Sequence, residues 1–217
     1  MEPLPAALAT PILQARYNIA ITGFLILKEI MFPNLRVGKT LAALALLAGA
    51  QMAHAADGTG IIDGASLEVG GGAKVQFVRG AVMSDWSARW FSNNGYHLSG
   101  YWDANLAQWR GNDSNSDRGG HQNITVVNFT PVFRYERDDK RGFYGEGGVG
   151  VSLFSHLYDN NEKRLATAFQ FGDHIGAGYV FDNKWEAGFK LQHYSNGGIK
   201  HPNGGVNFFV LKLARHF

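Results

Sequence analysis

A histidine and a serine two residues apart are the first residues in this sequence whose types and spacing suggest chemistry. His193 and Ser195 end a segment that starts at Lys184, in which apolar and polar side chains alternate with the period of a β-strand. Both continue the apolar face of that strand, where aliphatic side chains are expected. A serine hydroxyl becomes a good nucleophile when a neighbouring imidazole accepts its proton. The pair is therefore a candidate base and nucleophile.

Further polar residues fall in the same row of the two neighbouring strands. A turn at residues 182–184 places Asp173 opposite His193 and keeps the apolar rows of both strands on one side. Asn207 begins the apolar row of the last strand. The glycine- and asparagine-rich loop 196–205 offers backbone N–H groups and amides for an oxyanion hole. Such residues near the end of a strand also suit contact with lipid headgroups, so the residues alone leave catalysis and headgroup contact both open.

Eight alternating segments separated by clusters of Gly, Asn and Asp predict an all-β chain. Each segment has one apolar face, with aromatic residues toward its ends, and one face of charged, amide and glycine residues. The predicted strands are 65–71, 75–90, 96–109, 123–137, 143–154, 165–181, 184–195 and 207–217.

The alternation is compatible with two kinds of barrel, because a soluble barrel buries its apolar face and a membrane barrel exposes it. The mixed charged faces suit the packed interior of a narrow barrel, and the aromatic residues suit interfacial girdles. The final Phe217 resembles the assembly signal of bacterial outer-membrane barrels. We therefore predict an eight-stranded antiparallel transmembrane β-barrel with a polar, side-chain-filled interior, integral to the bacterial outer membrane. A soluble lipid-binding barrel is the alternative.

The front of the chain predicts export. Residues 31–55 contain basic residues, an apolar run from Thr40 to Ala50 and an Ala-x-Ala site ending at Ala55, as in a secretory signal peptide. The apolar run is too short for a membrane-spanning helix. We predict cleavage before Ala56, so that residues 56–217 form the barrel. Residues 1–30 are then an upstream extension from a mis-assigned start codon.

Composition excludes several classes of function. The chain has 217 residues and no cysteine, so neither disulfides nor thiolate chemistry is available. Its 20 Lys and Arg residues nearly balance 18 Asp and Glu residues, which does not indicate a nucleic-acid partner. The histidines of the loops lack metal-ligand spacing, and no cofactor is predicted.

Several sequence motifs are similar to those of a known family. They are Gly-Tyr-Trp-Asp-Ala at 100–104, Phe-Thr-Pro-Val-Phe-Arg-Tyr-Glu at 129–136, Glu-Gly-Gly-Val-Gly-Val at 146–151, Asp-His-Ile-Gly-Ala-Gly at 173–178 and His-Tyr-Ser-Asn at 193–196. In these motifs the chain resembles the outer-membrane lipid A 3-O-deacylases (PagL). The resemblance implies an eight-stranded barrel that hydrolyses the ester at position 3 of lipid A and releases a 3-hydroxy fatty acid.

The resemblance also implies roles for individual residues. His193 corresponds to the general base and Ser195 to the nucleophile. The oxyanion stabiliser corresponds to Asn203, together with the loop around Gly198 and Asn196.

One position departs from the family pattern. Asn207, twelve residues after the serine, stands where the family has a glutamate as the third member of the triad. An amide oxygen can accept the imidazole N–H and fix the tautomer, but it cannot stabilise an imidazolium by charge. Asp173 matches a family aspartate close to the site. Our hypothesis is that Asn207 orients His193 and that Asp173 assists.

The expected partners follow from this interpretation. They are lipid A or lipopolysaccharide as substrate, the outer membrane, and the barrel-assembly machinery through Phe217; a homodimer is left open. Two alternative functions remain at this stage. One is a non-catalytic structural or adhesive barrel, and the other is a barrel that modifies lipids differently, as an acyltransferase or phospholipase.

Overall fold

The computed structural model of this protein describes Thr22, Glu29 and residues 61–72, 74–112, 120–160 and 163–217. The chain divides into two units, Met1–Leu35 and Arg36–Phe217. Apart from Thr22 and Glu29, the predicted signal peptide and upstream extension lie outside the described residues. Within the described ranges there is no helix long and apolar enough to cross a bilayer.

The described part of the second unit is built from β-strands. Eight of them close into one antiparallel ring, because β2 pairs with both β1 and β4, and each later strand pairs with the next until β9 returns to β1. The eight-stranded antiparallel prediction is thus confirmed. The additional short strand, β3, pairs with the beginning of β4. The strands are β1 Gly64–Gly72, β2 Val75–Asp85, β3 Trp90–Asn93, β4 Tyr96–Asn112, β5 His121–Arg137, β6 Gly142–Phe154, β7 Phe169–Val180, β8 Trp185–Ser195 and β9 Val206–His216.

Two predicted segments are too long. The segment 75–90 is not one strand, because β2 ends at Asp85 and Trp90 begins the separate β3. The segment 165–181 starts too early, because Leu165 is fully buried in a loop and β7 begins only at Phe169. In both places the side-chain alternation continues beyond the residues that pair in the main ring.

The barrel has an apolar outer wall and a polar interior. In β5, Asn128 and Arg134 point inward and are buried, whereas Val127, Phe129 and Phe133 are 54%, 47% and 48% exposed. A continuous exposed apolar wall of this kind is costly in water and is the surface that a membrane barrel presents to lipid. The structure therefore has the membrane arrangement rather than that of the soluble alternative.

Charged side chains inside the barrel are paired with one another. The guanidinium of Arg134 lies 2.7 Å from a carboxylate oxygen of Glu146 and 3.0 Å from one of Glu186. The Nζ of Lys190 lies 2.9 Å from Glu68 and 3.6 Å from Glu146. Buried charges are tolerated only with such partners. The network links strands that are far apart in sequence, and its side chains fill the interior, as predicted for eight strands.

The two ends of the barrel differ. The backbone N–H of Phe217 donates to the carbonyl of Asp63, so the chain enters and leaves the barrel at one end, where residues 138–141 and 181–184 form tight turns. The opposite end carries three of the four connections of eight or more residues, 113–120, 155–168 and 196–205. The fourth, 86–95, contains β3 and lies at the end with the termini. Outer-membrane barrels have short periplasmic turns and long extracellular loops. The end with long loops, where β8 finishes and β9 begins, is accordingly the extracellular end.

Candidate active site

The end of β8 is held by Tyr194, which points into the barrel. This residue is fully buried, its ring centroid lies 5.1 Å from that of Trp109, and its hydroxyl accepts a hydrogen bond of 3.2 Å from Arg79 Nη1. Because side chains alternate along a strand, the anchoring of Tyr194 directs His193 and Ser195 to the outer face. Both are half-buried there, with Cα atoms about 7 Å apart for a regular strand.

Cross-strand pairing brings the predicted neighbours to His193. Asp173 on β7 pairs with His193, and Asn207 on β9 pairs with it from the other side. This is the register expected from keeping the apolar rows together. Asn207 is itself positioned by the next residue, Phe208, which is buried and packs on Trp109 with centroids 4.6 Å apart. Packing of Tyr194 and Phe208 inside the barrel thus fixes the end of β8 and the start of β9, which carry His193 and Asn207.

Asn207 makes the direct contact with the imidazole. Its Oδ1 is in hydrogen-bond contact with Nδ1 of His193. An amide oxygen can only accept, so Nδ1 donates the proton and Nε2 is left as the acceptor of the ring. Asp173 lies across the strand pair, but no ion pair joins it to His193 in the part of the chain that the structure describes. Orientation of His193 by Asn207 therefore has a geometric basis.

Gly205 lies against the imidazole at its Nε2 side. A Cβ atom on this residue would stand 2.8 Å from Cε1 and 3.2 Å from Nε2 of His193, and 3.0 Å from the carbonyl oxygen of Tyr194. The φ angle of Gly205 is +59°, a left-handed conformation that glycine adopts readily. Gly205 is not among the residues predicted from the sequence. The pair Gly204-Gly205 directly before the last strand is the signal that points to it.

Asn196 and Gly198 are hydrogen-bonded to each other. Asn196 is fully buried, its Nδ2 donates to the carbonyl of Lys200 at 2.8 Å, and its Oδ1 accepts from the N–H of Gly198 at 3.0 Å. The sequence predicts these two as oxyanion donors, but here both are engaged within the loop. Their geometry shapes the loop 196–205.

Asn203 connects the loop 196–205 to the loop between β6 and β7. Its Oδ1 accepts from the backbone N–H of Ala166 at 2.8 Å, and the N–H of Gly204 donates to the carbonyl of Arg164 at 2.9 Å. With its oxygen held in this way, Asn203 keeps Nδ2 as the group that can donate to a ligand. The loop between β6 and β7 thus orients the amide predicted to stabilise an oxyanion.

The assembled groups suit acyl transfer. A hydroxyl and an imidazole in a defined tautomer lie two residues apart on one strand, and an amide acceptor contacts the imidazole from behind. With the amide of Asn203 in the loop before β9 as a candidate donor, these are the roles that ester hydrolysis by serine requires. Among the described residues no group of three or more His, Asp or Glu side chains is arranged to hold a metal ion.

Comparison with known proteins decides the family. The family model for lipid A 3-O-deacylase (PagL) matches residues 71–216, which contain all the candidate site residues. The chain belongs to the PagL family. The lipid A deacylase PagL of Pseudomonas aeruginosa is 33% identical over 174 residues, covering 80% of this chain and 96% of the relative. The resemblance drawn from the motifs is thereby confirmed.

Two further comparisons agree. The lipid A deacylase PagL of Bordetella bronchiseptica is 39% identical over 87 residues, covering 40% of this chain and 47% of that protein. The crystal structure of the outer membrane enzyme PagL superposes on this chain with a TM-score of 0.60 at 30% identity. That match covers 71% of this chain and 99% of the other, so the barrel is shared over its whole length.

Proposed function

We propose that this protein is a serine esterase that hydrolyses the 3-O-linked acyl ester of lipid A and releases a 3-hydroxy fatty acid. As a member of the PagL family with an apolar outer wall, the chain is a lipid A deacylase and an integral protein of the outer membrane. The serine mechanism and the position of the ester are the proposed part. The observation that supports the serine mechanism is the contact of Asn207 with His193, two residues from Ser195 on the lipid-facing wall. The 3-O position is taken from the activity that describes the matching family model.

The first half-reaction forms an acyl-enzyme. His193 Nε2 accepts the proton of Ser195 as Oγ attacks the ester carbonyl, and a tetrahedral oxyanion forms. Nδ2 of Asn203 donates a hydrogen bond to that oxyanion. The C–O bond to the sugar then breaks, and the imidazolium returns its proton to the leaving 3-hydroxyl oxygen. The acyl chain remains on Ser195.

The second half-reaction releases the fatty acid. Water enters from the extracellular side and loses a proton to His193 Nε2 as it attacks the acyl-enzyme carbonyl. The oxyanion collapses, Ser195 Oγ departs and takes the proton back, and the free acid leaves. Each imidazolium is held by the Oδ1 of Asn207, whose neutral amide supplies orientation without a full charge. Asp173 supplies a negative charge from the neighbouring strand.

The position of the site selects a membrane lipid as substrate. Ser195 lies on the outer wall beside Phe171, its partner on β7, whose ring packs on Phe169 with centroids 5.1 Å apart. An acyl chain can lie along such a wall while its ester stays at the level of the headgroups. Lipid A therefore reaches the serine by lateral diffusion and need not leave the bilayer.

The mechanism is tested on purified protein folded in detergent. Wild type, Ser195→Ala and His193→Ala are incubated with lipid A, and the products are identified by mass spectrometry. We expect free 3-hydroxy fatty acid from the wild type only, and a fluorophosphonate adduct on Ser195 of the wild type. Hydrolysis by folded Ser195→Ala would contradict the serine mechanism. Release of a chain from another position would contradict the 3-O assignment, and transfer of the chain to a second lipid would favour the acyltransferase alternative.

We also propose how the protein reaches its location. The signal peptide at residues 31–55 is removed during export, and Phe217 engages the barrel-assembly machinery. The N-terminal sequence of protein isolated from outer membranes tests the first point, with Ala56 as the expected first residue.

A further inference from the structure

Lys163, in the loop between β6 and β7, is hydrogen-bonded to Asn160 through its backbone. The Asn160 N–H donates to the carbonyl of Lys163 at 3.1 Å, and the N–H of Lys163 donates to Oδ1 of Asn160 at 2.6 Å. Below this turn the N–H of Leu165 donates to the carbonyl of Tyr158, and both side chains are fully buried. The backbone of Lys163 is thus anchored to the core of the barrel.

Lys163 lies beside the loop that precedes β9 and contacts His193. Its Cδ is 3.7 Å from the position that a Cβ of Gly204 would occupy. The next residue, Gly205, is the one that lies against Nε2 of His193. Because consecutive Cα atoms are about 3.8 Å apart, the aliphatic stem of Lys163 and the imidazole rest on adjacent residues of one loop. The ammonium thus extends from a side-chain stem that touches the same loop as the imidazole.

The charge of Lys163 is available to a ligand. The side chain is half-buried, and its ammonium forms no ion pair within the described ranges of the chain. The neighbouring Arg164, in contrast, is exposed and lies 3.4 Å from a carboxylate oxygen of Asp159. The carboxylate of Asp173 belongs to the lipid-facing row beside His193. A lysine close to the loop of an ester-binding site, with no ion pair among the described residues, favours an anionic substrate.

We propose that Lys163 binds the phosphate on carbon 1 of the glucosamine that carries the 3-O-acyl chain, and so determines a preference for phosphorylated lipid A. This inference rests on the proposed function. Carbons 1 and 3 of the sugar are separated by a single ring carbon, so a phosphate on one lies close to an ester on the other. An ammonium binds phosphate as a compact point charge, without the two-point geometry of arginine.

The test compares substrates that differ only in phosphate. Purified wild type, Lys163→Ala and Lys163→Arg are assayed on core-free lipid A with both phosphates, without the 1-phosphate, and without the 4′-phosphate. Arg141→Gln, which changes an exposed cation at the opposite end of the barrel, is the matched control. We expect Lys163→Ala to raise KM about tenfold on substrates that keep the 1-phosphate, with kcat unchanged, as for loss of one charge-assisted contact. Lys163→Arg and Arg141→Gln keep the wild-type KM.

The outcomes separate this inference from the proposed function. On lipid A lacking the 1-phosphate, Lys163→Ala and wild type should have equal rates, which also shows that the variant is folded. Equal losses of Lys163→Ala on all three substrates, or an unchanged KM on all three, overturn the role of Lys163 while deacylation stands. A loss that follows the 4′-phosphate overturns the choice of phosphate. A wild type inactive on every substrate refutes the proposed function, and the inference falls with it.

Discussion

Replacing Asn207 with alanine probes how this site works with an amide, rather than a carboxylate, behind His193. The substitution removes the Oδ1 that contacts Nδ1 of His193. A neutral hydrogen bond contributes a net ~1 kcal/mol, and one from a charged donor about 1.5–3 kcal/mol. The imidazole becomes charged only as the reaction proceeds, so the difference of about 0.5–2 kcal/mol is specific to the transition state. At 1.36 kcal/mol per factor of ten, kcat should fall between just over twofold and about 30-fold.

Replacing Asn207 with glutamate tests the same interaction in the opposite direction. Asn207→Glu restores a charge behind the imidazole, and charge-assisted hydrogen bonds are roughly twice as strong as neutral ones. We expect kcat to rise about fivefold above that of the wild type. KM should change little in either variant, because Asn207 is placed behind the imidazole and contacts no part of the substrate in the proposed mechanism.

The assay is the initial rate of 3-hydroxy fatty acid release from lipid A in mixed detergent micelles over a range of substrate concentrations. Folding of each variant is checked by its resistance to unfolding in dodecyl sulfate before heating. A kcat for Asn207→Ala within twofold of the wild type would refute the orienting role, as would a change confined to KM. Activity of Asn207→Glu below that of Asn207→Ala would show that the amide, rather than any acceptor, is required.

Three further predictions concern neighbouring residues. Asp173→Asn should lower kcat by less than about threefold in the same assay, because no ion pair joins it to His193; a loss larger than that of Asn207→Ala would make Asp173 the main partner. Gly205→Ala should lower kcat at least about tenfold with the barrel intact, because a Cβ at this position collides with the imidazole of His193. The control Gly204→Ala, whose Cβ makes only ordinary van der Waals contacts, should keep kcat within about twofold. Equal effects of the two substitutions would contradict the role of Gly205 beside His193. Arg134→Met should lower the free energy of unfolding by about 3–5 kcal/mol, because Glu146 and Glu186 lose their shared cation; an unchanged urea midpoint would contradict this.

The alternation of apolar and polar residues was enough to predict most of the strands and their antiparallel order from the sequence alone. In a narrow membrane barrel every strand must show lipid one face and pack the other against charged neighbours, so the pattern of β5 could be interpreted without a structure. The same rule predicted that Asp173, His193 and Asn207 stand side by side, because one residue of slip would turn a whole apolar row inward.

Other features depend on backbone geometry that alternation does not encode. Residues 86–90 keep a strand-like pattern although β2 has ended, so β3 was not predicted. The conformation of Gly205 and its approach to the imidazole depend on how the loop 196–205 returns from β8 to β9. The hydrogen bond between Asn196 and Gly198 likewise depends on the backbone conformation of the loop, which could not be predicted from the residue types alone.

Mass spectrometry of lipid A from cells that express the wild type or Ser195→Ala at equal levels in the outer membrane tests the central claim most directly. We predict that lipid A from the wild type lacks one 3-hydroxyacyl chain, at position 3, and that lipid A from Ser195→Ala is intact. Loss of that chain in both strains, or loss of a different chain in the wild type, would contradict a serine esterase acting at the 3-O position.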